Sequence, residues 1–287
     1  MNQDTFSIAL PTGRMQAPVL ELLRDAGIAV EVGPRGYRPR IGLQGFTAKL
    51  LKPQNIARML ANGTRDLGFT GADWIAELAC DCVEVLDTGL EPVRLVAAAP
   101  QALLCEGALP RRRLRVASEF ERLTLAWIQK RAIDASFVRS FGTTEVLPPE
   151  DADVIVDLVS TGATLRANGL VPLDEVLASS TRLYASRAAM QDATKRARIE
   201  EVTLLLRSVL DARQRVMLEL NVASDQLEAV LEGLPSMREP TIAHLAHGAG
   251  FAVRAAVPRS QLPHLLVELK RRGGSDLVVT PLSQIVA

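Results

Sequence analysis

Asp157 stands three residues ahead of a run of small and hydroxyl side chains, Ser160-Thr161-Gly162-Ala163-Thr164. Residues 154–156, Val-Ile-Val, form a short β-branched run that reads as a buried strand ending at Asp157. Residues 165–169, Leu-Arg-Ala-Asn-Gly, read as a brief helix stopped by Asn-Gly. A strand, a tight hydroxyl-rich loop and a helix start make an anion site. Backbone N–H groups converge there, the helix dipole favours negative charge, and Gly162 lets a phosphate approach the backbone. Ser160, Thr161 and Thr164 add hydroxyl donors. A carboxylate repels a phosphate, so Asp157 is suited to accept hydrogen bonds from hydroxyls of the sugar that carries it. A 5-phosphorylated ribose satisfies both halves of the stretch. The same residues also read as an ordinary strand–turn–helix corner with Thr caps. No Gly-Lys-Ser/Thr follows, so this is not a P-loop.

Two further loops fall where ligands of open α/β folds bind. Thr12-Gly13-Arg14 follows a strand over 6–10, and Arg14 there can pair with a phosphate or stand as an exposed first-turn cation. Thr70-Gly71 ends a very short strand, and Asp73 can cap the helix after it or line a second ligand group.

The elements that must hold these loops alternate between strand and helix. Helical spacing runs from Met15 to Asp25 and stops at Gly27. Residues 33–45, rich in Gly, Pro and Arg, read as a loop or hairpin arm. Lys49 to Pro53 leads into a helix over 54–61. Val93 to Ala99 is a buried strand. A new α/β unit opens at 114–117, with Ser118 as N-cap of a helix to Lys130, a strand over 136–140 and an exit loop at 141–145. Residues 183–186 are another strand, and 188–210 a long helix. The pattern predicts two α/β lobes with a cleft between them. After that the style changes. Strands at 216–222, 241–246, 251–257 and 277–280 and helices at 224–232 and 258–272 follow in the order β-α-β-β-α-β, a ferredoxin-like unit. It holds no evident nucleophile or acid–base pair, and a small-ligand sensor or oligomerisation module suits it better than a catalytic one.

Composition narrows the classes. At 287 residues, with 48% apolar and 23% charged side chains, the chain reads as a soluble globular protein of two or three domains. Lys plus Arg and Asp plus Glu are 33 each, a net charge of zero, which argues against a polyanion-binding protein. Arg111-Arg112-Arg113 reads as a solvated turn after Pro110 or as local phosphate contacts. Met1 to Thr5 lacks the features of a signal peptide, and no run of about 18 apolar residues predicts a membrane span. Cys80, Cys82 and Cys105 are few and odd in number, which fits a reducing cytoplasm. Cys80-Asp81-Cys82 is too small for a zinc site. The histidines, His244, His247 and His264, all lie late, so no histidine acid–base belongs to the first two-thirds.

With these residues in view, the sequence resembles the ATP phosphoribosyltransferase family, the first enzyme of histidine biosynthesis, in its long form. The likeness covers nearly the whole chain. Residues 157–165 resemble the family's phosphoribosyl-pyrophosphate loop, and 66–71 its D-x-G-I-x-G segment. Gly142-Thr143-Thr144-Glu145 is similar to its G-S-V-E element, and 238–242 to its R-P-T-I element. The resemblance implies a two-lobed core like that of periplasmic binding proteins, with a C-terminal ferredoxin-like (βαββαβ) regulatory domain. Lobe I comprises 1–92 with 178–212, lobe II comprises 93–177, and 213–287 form the histidine-binding domain. It implies transfer of 5-phosphoribosyl from phosphoribosyl pyrophosphate to N1 of the adenine of ATP, with Mg²⁺ and release of pyrophosphate. It implies no metal ligand set of the protein's own.

The family's roles fall on residues of this chain. Glu145 and Asp157 are the catalytic carboxylates, holding the ribose 2- and 3-hydroxyls. Arg14, Asp157, Ser160, Thr161, Gly162, Ala163 and Thr164 bind phosphoribosyl pyrophosphate. Thr12, Gly13, Lys52, Thr70, Gly71 and Asp73 line the ATP side, Lys52 standing where Arg is common. Asn221, Met237, Glu239, Thr241 and Asp276 are the histidine positions. Asn221 stands where an acidic residue is usual, and Glu239 where a small hydroxyl residue is. Thr241 also reads as a strand hydroxyl bonded to the backbone. The resemblance further implies a cytoplasmic homo-oligomer, a dimer or hexamer, with no nucleic-acid or membrane partner. A bilobal sensor without chemistry, or a phosphoribosyltransferase acting on another base, are the competing readings. The carboxylate pair separates the first, and only the likeness over 66–73 speaks against the second.

Overall fold

The computed structural model of the chain describes residues 5–33 and 36–286. The N-terminal segment before Thr5 and part of the 33–45 arm lie outside the described residues. The chain divides into two compact units, one of Met1–Glu21 with Ile28–Glu200 and one of Leu22–Gly27 with Glu201–Ala287.

The first half of the chain runs β1 (Phe6–Pro11), α1 (Gln16–Asp25), β2 (Val30–Glu31), β3 (Arg40–Ile41), β4 (Phe46–Leu51), α2 (Pro53–Ala61), β5 (Leu67–Gly71), α3 (Ala72–Glu77), β6 (Cys82–Pro100), β7 (Leu114–Ser118), α4 (Glu121–Lys130) and β8 (Ala135–Arg139). The second half runs β9 (Val154–Val159), α5 (Ala163–Ala167), β10 (Leu170–Ser186), α6 (Arg187–Gln191), α7 (Ala193–Arg213), β11 (Arg215–Val222), α8 (Leu227–Glu232), β12 (Thr241–His244), β13 (Phe251–Pro258), α9 (Leu262–Arg271) and β14 (Ser275–Pro281).

The first unit is built on one eight-stranded mixed sheet, in the order β4-β1-β5-β10-β6-β9-β7-β8. Parallel strands occupy its two ends: β4, β1 and β5 at one, β9, β7 and β8 at the other. Between them β6 and β10 pair antiparallel along nearly their whole length. The strands expected over 93–99 and 183–186 are thus the C-terminal parts of strands of 19 and 17 residues. Their other stretches carry charges that resemble loop composition. In the sheet these charges face each other: Arg182 pairs with Glu84 at 2.8 Å and with Asp87 at 3.2 Å, the cross-strand pairing that stabilises a ladder.

Other differences have local causes. Of residues 49–53, expected to lead into a helix, 49–51 instead end the edge strand β4, and the arm over 33–45 joins the short pair β2–β3. The long helix expected over 188–210 is broken at Asp192, whose carboxylate accepts the N–H groups of Thr194 at 2.9 Å and Lys195 at 3.0 Å and so caps α7. That helix runs on from the first unit into the second. Ser118 does not cap α4. Its hydroxyl donates to the Val156 carbonyl at 2.6 Å and accepts Phe120 N–H. The cap comes from Glu77, which accepts Arg122 N–H and Leu123 N–H at 3.0 Å each. Arg112, expected in a solvated turn, pairs with Asp153 at 3.0 Å.

The second unit's sheet has the order β12-β13-β11-β14, all antiparallel, the strand order of a ferredoxin-like fold. Along β11, Val216, Leu218, Leu220 and Val222 alternate into a core shared with Val230, Leu265 and Leu269. The intervening Met217, Glu219 and Asn221 lie on the opposite face.

Glu77 joins α3 to the start of α4 through two charge-assisted hydrogen bonds from a buried position. Glu77→Ala is expected to lower unfolding free energy by about 1–2 kcal/mol, read by denaturant unfolding. A loss near zero contradicts the capping role.

Candidate active site

Asp157 lies one turn of the pleat before the end of β9, and the chain after Val159 swings through Ser160, Thr161 and Gly162 into α5. Gly162 is the N-cap, with φ of +74°, a left-handed conformation that glycine adopts without strain. Thr161 holds the turn from both sides: its hydroxyl accepts Ala163 N–H at 3.4 Å, and its carbonyl accepts from Arg166 at 3.2 Å. The first-turn N–H groups of α5 have no acceptor within the helix and open to solvent. A cavity of about 190 Å³ is lined by Glu145 and by residues 157–165. The structure therefore brings Glu145, Asp157, Ser160, Thr161, Gly162, Ala163 and Thr164 around one space.

Two carboxylates face that space. Glu145 sits in a single helical turn over Thr144–Val146, entered through Thr143 at φ of +48°. Buried Thr144 anchors the turn by a 2.9 Å hydrogen bond with Ser140. Asp157 accepts Leu158 N–H at 2.7 Å. Burial pushes its carboxyl above the usual carboxylate range, and the neighbouring Glu145 charge pushes the same way, against hydrogen bonds from Leu158 and Thr144. A half-buried carboxylate pair beside an anion-binding turn is poised for an electropositive group between them.

Across the sheet, Thr12, Gly13, Arg14, Lys52, Thr70, Gly71 and Asp73 share the C-terminal edge of β4, β1 and β5. Thr12 N–H donates to Leu51 carbonyl at 2.9 Å, which ties the first two of these loops together. Arg14 and Lys52 are exposed. The Thr70 hydroxyl is committed to the Pro53 carbonyl at 3.0 Å, where it fixes the start of α2. Asp73 is wholly buried. Its Oδ1 accepts Trp74 N–H at 2.8 Å, and its own N–H donates to Ser179 Oγ at 3.0 Å. Its Oδ2 is buried with no hydrogen-bond partner. Burial raises the Asp73 carboxyl, while Trp74 N–H and the Arg14 charge hold it down. Asp73 is not the N-cap of α3; Gly71 is. A Cβ at Gly71 would strike the Asp73 carboxylate, so glycine is required for that carboxylate to fold back.

Register sets the two edges against each other. Because β10 and β6 are both antiparallel to their neighbours, β5 and β9 run in opposite directions. The end of β5, Gly71, lies level with Thr181 and through it with Leu90 on β6, and the end of β9, Val159, lies level with Arg94. Four residue steps along β6, from Leu90 to Arg94, therefore separate the two loop sets, about 13 Å. The two strand ends face each other across this stretch. Ser179 and Thr181, which sequence reasoning missed, lie on β10 beside it; the Ser-Ser-Thr run at 179–181 was the available signal. The Thr181 hydroxyl is another buried group without a partner.

In the second unit the five histidine positions fall into two groups. Asn221 donates to Asp276 at 3.0 Å, and Ser275 donates to the same carboxylate at 3.2 Å. Thr241 lies on β12 and Asp276 on β14, the opposite edges of the sheet, three strand spacings or about 14 Å apart. Met237 and Glu239 precede β12, and Met237 N–H donates to Ala256 carbonyl at 3.1 Å. One chain does not gather all five around one small ligand. Among the described residues no group of three or more His, Cys, Asp or Glu could hold a metal ion.

Comparison with known proteins gives a consistent result. A family model described as ATP phosphoribosyltransferase matches residues 52–208, and one described as HisG, C-terminal domain, matches 212–284. An ATP phosphoribosyltransferase of Chlorobaculum parvum is 33% identical over 290 residues, covering 99% of this chain and 99% of the relative. One from Solibacter usitatus is 35% identical over 286 residues, covering 98% and 99%. A solved structure, the ATP phosphoribosyl transferase (HisG:HisZ) complex from Thermotoga maritima, superimposes with a TM-score of 0.64 at 23% identity, over 72% of this chain and 99% of that one. That likeness speaks for the fold.

Asp73 yields a pH test. Its carboxyl is raised above 3.8, so the folded state favours the protonated form. Its contribution to stability is complete below that value and is lost as the pH rises through the raised folded value. Asp73→Asn removes that loss. The melting temperature of Asp73→Asn relative to the parent is expected to increase as the pH rises above about 4 and to level off once the buried carboxyl has ionised, in calorimetric scans. A difference that shrinks with rising pH contradicts the burial assignment.

Proposed function

The chain belongs to the ATP phosphoribosyltransferase family, and from that premise we propose how its own residues carry out the first step of histidine biosynthesis. In this reaction N1 of the adenine of ATP attacks the anomeric carbon of phosphoribosyl pyrophosphate. The N1–C1 bond forms with the ring nitrogen's lone pair, and the C1–O bond breaks, its electrons leaving with pyrophosphate. The observation that carries the proposal is the single cavity holding Glu145, Asp157 and the 160–164 turn.

The 5-phosphate sits on the N–H groups at the start of α5 and on the hydroxyls of Ser160, Thr161 and Thr164. Asp157 and Glu145 accept the ribose 2- and 3-hydroxyls. Positive charge grows on the ring as the anomeric bond breaks, and the two carboxylates stabilise it. That charge also offsets the burial that raises Asp157. ATP lies along the opposite edge, by Thr12, Gly13, Lys52, Thr70, Gly71 and Asp73, with Arg14 reaching the sugar diphosphate. Adenine N1 is already a nucleophile, so alignment across the cleft supplies much of the acceleration. Two carboxylates do not fill an octahedral shell, so Mg²⁺ fits here as an ion carried by pyrophosphate oxygens and water, where it neutralises the leaving group.

Lobe I (1–92 with 178–212) and lobe II (93–177) hold the two substrates, and 213–287 bind histidine as feedback inhibitor. Asn221 and Asp276 take one end of the amino acid, and Met237, Glu239 and Thr241 the other. A single histidine is shorter than the gap between these groups, so a second copy of the chain brings them together. This supports a homo-oligomer, a dimer or hexamer. No described helix is long and apolar enough to cross a membrane; a cytoplasmic enzyme fits a biosynthetic step.

The assay combines the protein with ATP, phosphoribosyl pyrophosphate and Mg²⁺ and follows pyrophosphate release. Asp157→Asn and Glu145→Gln are each expected to lower kcat by about tenfold or more with unchanged circular dichroism. Unchanged turnover removes the residue from the mechanism. Asp276→Ala is expected to raise the histidine concentration for half-inhibition by about tenfold at unaltered uninhibited turnover. An unshifted inhibition curve places the histidine site elsewhere.

A further inference from the structure

A groove of about 530 Å³ lies beside the edge strand β4, lined by Arg38, Pro39, Arg40, Ile41, Phe46, Thr47, Ala48, Lys49 and Arg65. Four of these nine side chains are cationic, and none is acidic. The whole chain carries equal numbers of both signs, and most nearby cations are matched: Lys195 pairs with Asp66 at 2.7 Å and Arg182 with Glu84 at 2.8 Å. In the groove, among the described residues, Arg40 pairs only with Glu31, at 3.9 Å between two largely exposed side chains, a pair worth little. Among the described residues nothing engages the side chains of Arg38 or Lys49. Arg65 spends one N–H on the Thr64 carbonyl at 2.8 Å, while its Nε is buried without a partner. The Arg65 and Arg38 charges both bear on Lys49 and hold its amine below the usual lysine range.

Like charges gathered without counter-charges raise the free energy of the empty groove and lower it when a multivalent anion enters. A single phosphate offsets at most two of the four charges. Three or more linked phosphates match the charge and fit within the groove, and the two half-buried donors, Lys49 and Arg65, supply charge-assisted hydrogen bonds. We propose that this groove is a second anion site, separate from the 160–164 turn, which takes a polyphosphate, either free or as the tail of a nucleotide. It does not rest on the reaction proposed above.

Calorimetric titration of the full-length protein with sodium tripolyphosphate tests it. Lys49→Met with Arg65→Gln is expected to weaken binding about tenfold or remove one equivalent per chain, with turnover unchanged. Lys49→Met alone is expected to weaken it in the same direction, which keeps the test decisive if the Arg65 change disturbs folding. Lys270→Met with Arg271→Gln, exposed cations in the second unit, is expected to change nothing. A parallel titration with ATP separates the sources. Equal losses for both ligands assign recognition to the phosphate chain, and a loss for ATP alone assigns it to a nucleotide. The proposal is overturned by an unchanged titration in the groove variants or by equal weakening in the control. A fall in assembly size by sedimentation also overturns it, because the groove then holds an acidic face of a second copy.

Discussion

The antiparallel ladder between β6 and β10 is the constraint on which the site depends. Parallel strands bind ligands at their C-terminal ends, and one parallel sheet would put every such end on the same side. Here two strands of opposite sense separate the parallel groups, so the groups point toward each other along β6. Gly71 and Val159 become facing ends with Leu90 to Arg94 between them. A two-substrate transfer needs both reactants held on one line, with the reacting atoms between the holders. The ladder supplies that line. The ion pairs of Arg182 with Glu84 and Asp87 stitch its outer part, and the long register of hydrogen bonds makes the orientation stiff.

Electrostatics complete what the ladder arranges. The two edges of the cleft each carry a carboxylate that burial makes reluctant to ionise, Asp157 on one side and Asp73 on the other. Among the described residues neither is neutralised by an ion pair, and Asp73 leaves one oxygen without a partner. Such groups destabilise the free fold, and in an active site they gain from a ligand that brings the missing charge or donor. The 160–164 turn works with the opposite sign: its N–H groups and the α5 dipole await an anion. In the proposed reaction, phosphate at the turn and developing cation beside the carboxylates are complementary parts of one substrate.

How much could be read from the residues follows from how local each feature is. The turn after β9 was legible because strand, hydroxyl run, glycine and helix are contiguous, although α5 starts at Ala163, two residues earlier than expected, with Gly162 rather than a threonine as its left-handed N-cap. The C-terminal βαββαβ order was legible because its strands are short, alternating and bounded by turn residues. The full lengths of β6 and β10 were not, since Glu84, Asp87 and Arg182 look like loop residues until the partner strand is known. The α4 cap was hidden because Glu77 lies more than 40 positions away from the N–H groups it accepts. The commitment of the Thr70 hydroxyl to Pro53 required knowing that α2 starts beside β5. The histidine positions were gathered by resemblance, and only the order of the four strands reveals that they belong to two edges.

The account stands on the 160–164 turn and Asp157 gripping the two halves of one phosphorylated sugar. The most direct measurement is a crystal structure of the full-length protein soaked with phosphoribosyl pyrophosphate. The account predicts the 5-phosphate on the N–H groups of residues 162–164 and the ribose hydroxyls within hydrogen-bond distance of Asp157, with the pyrophosphate directed toward the β1–β5 edge. The sugar diphosphate bound away from this turn, with Asp157 facing only protein, would contradict it.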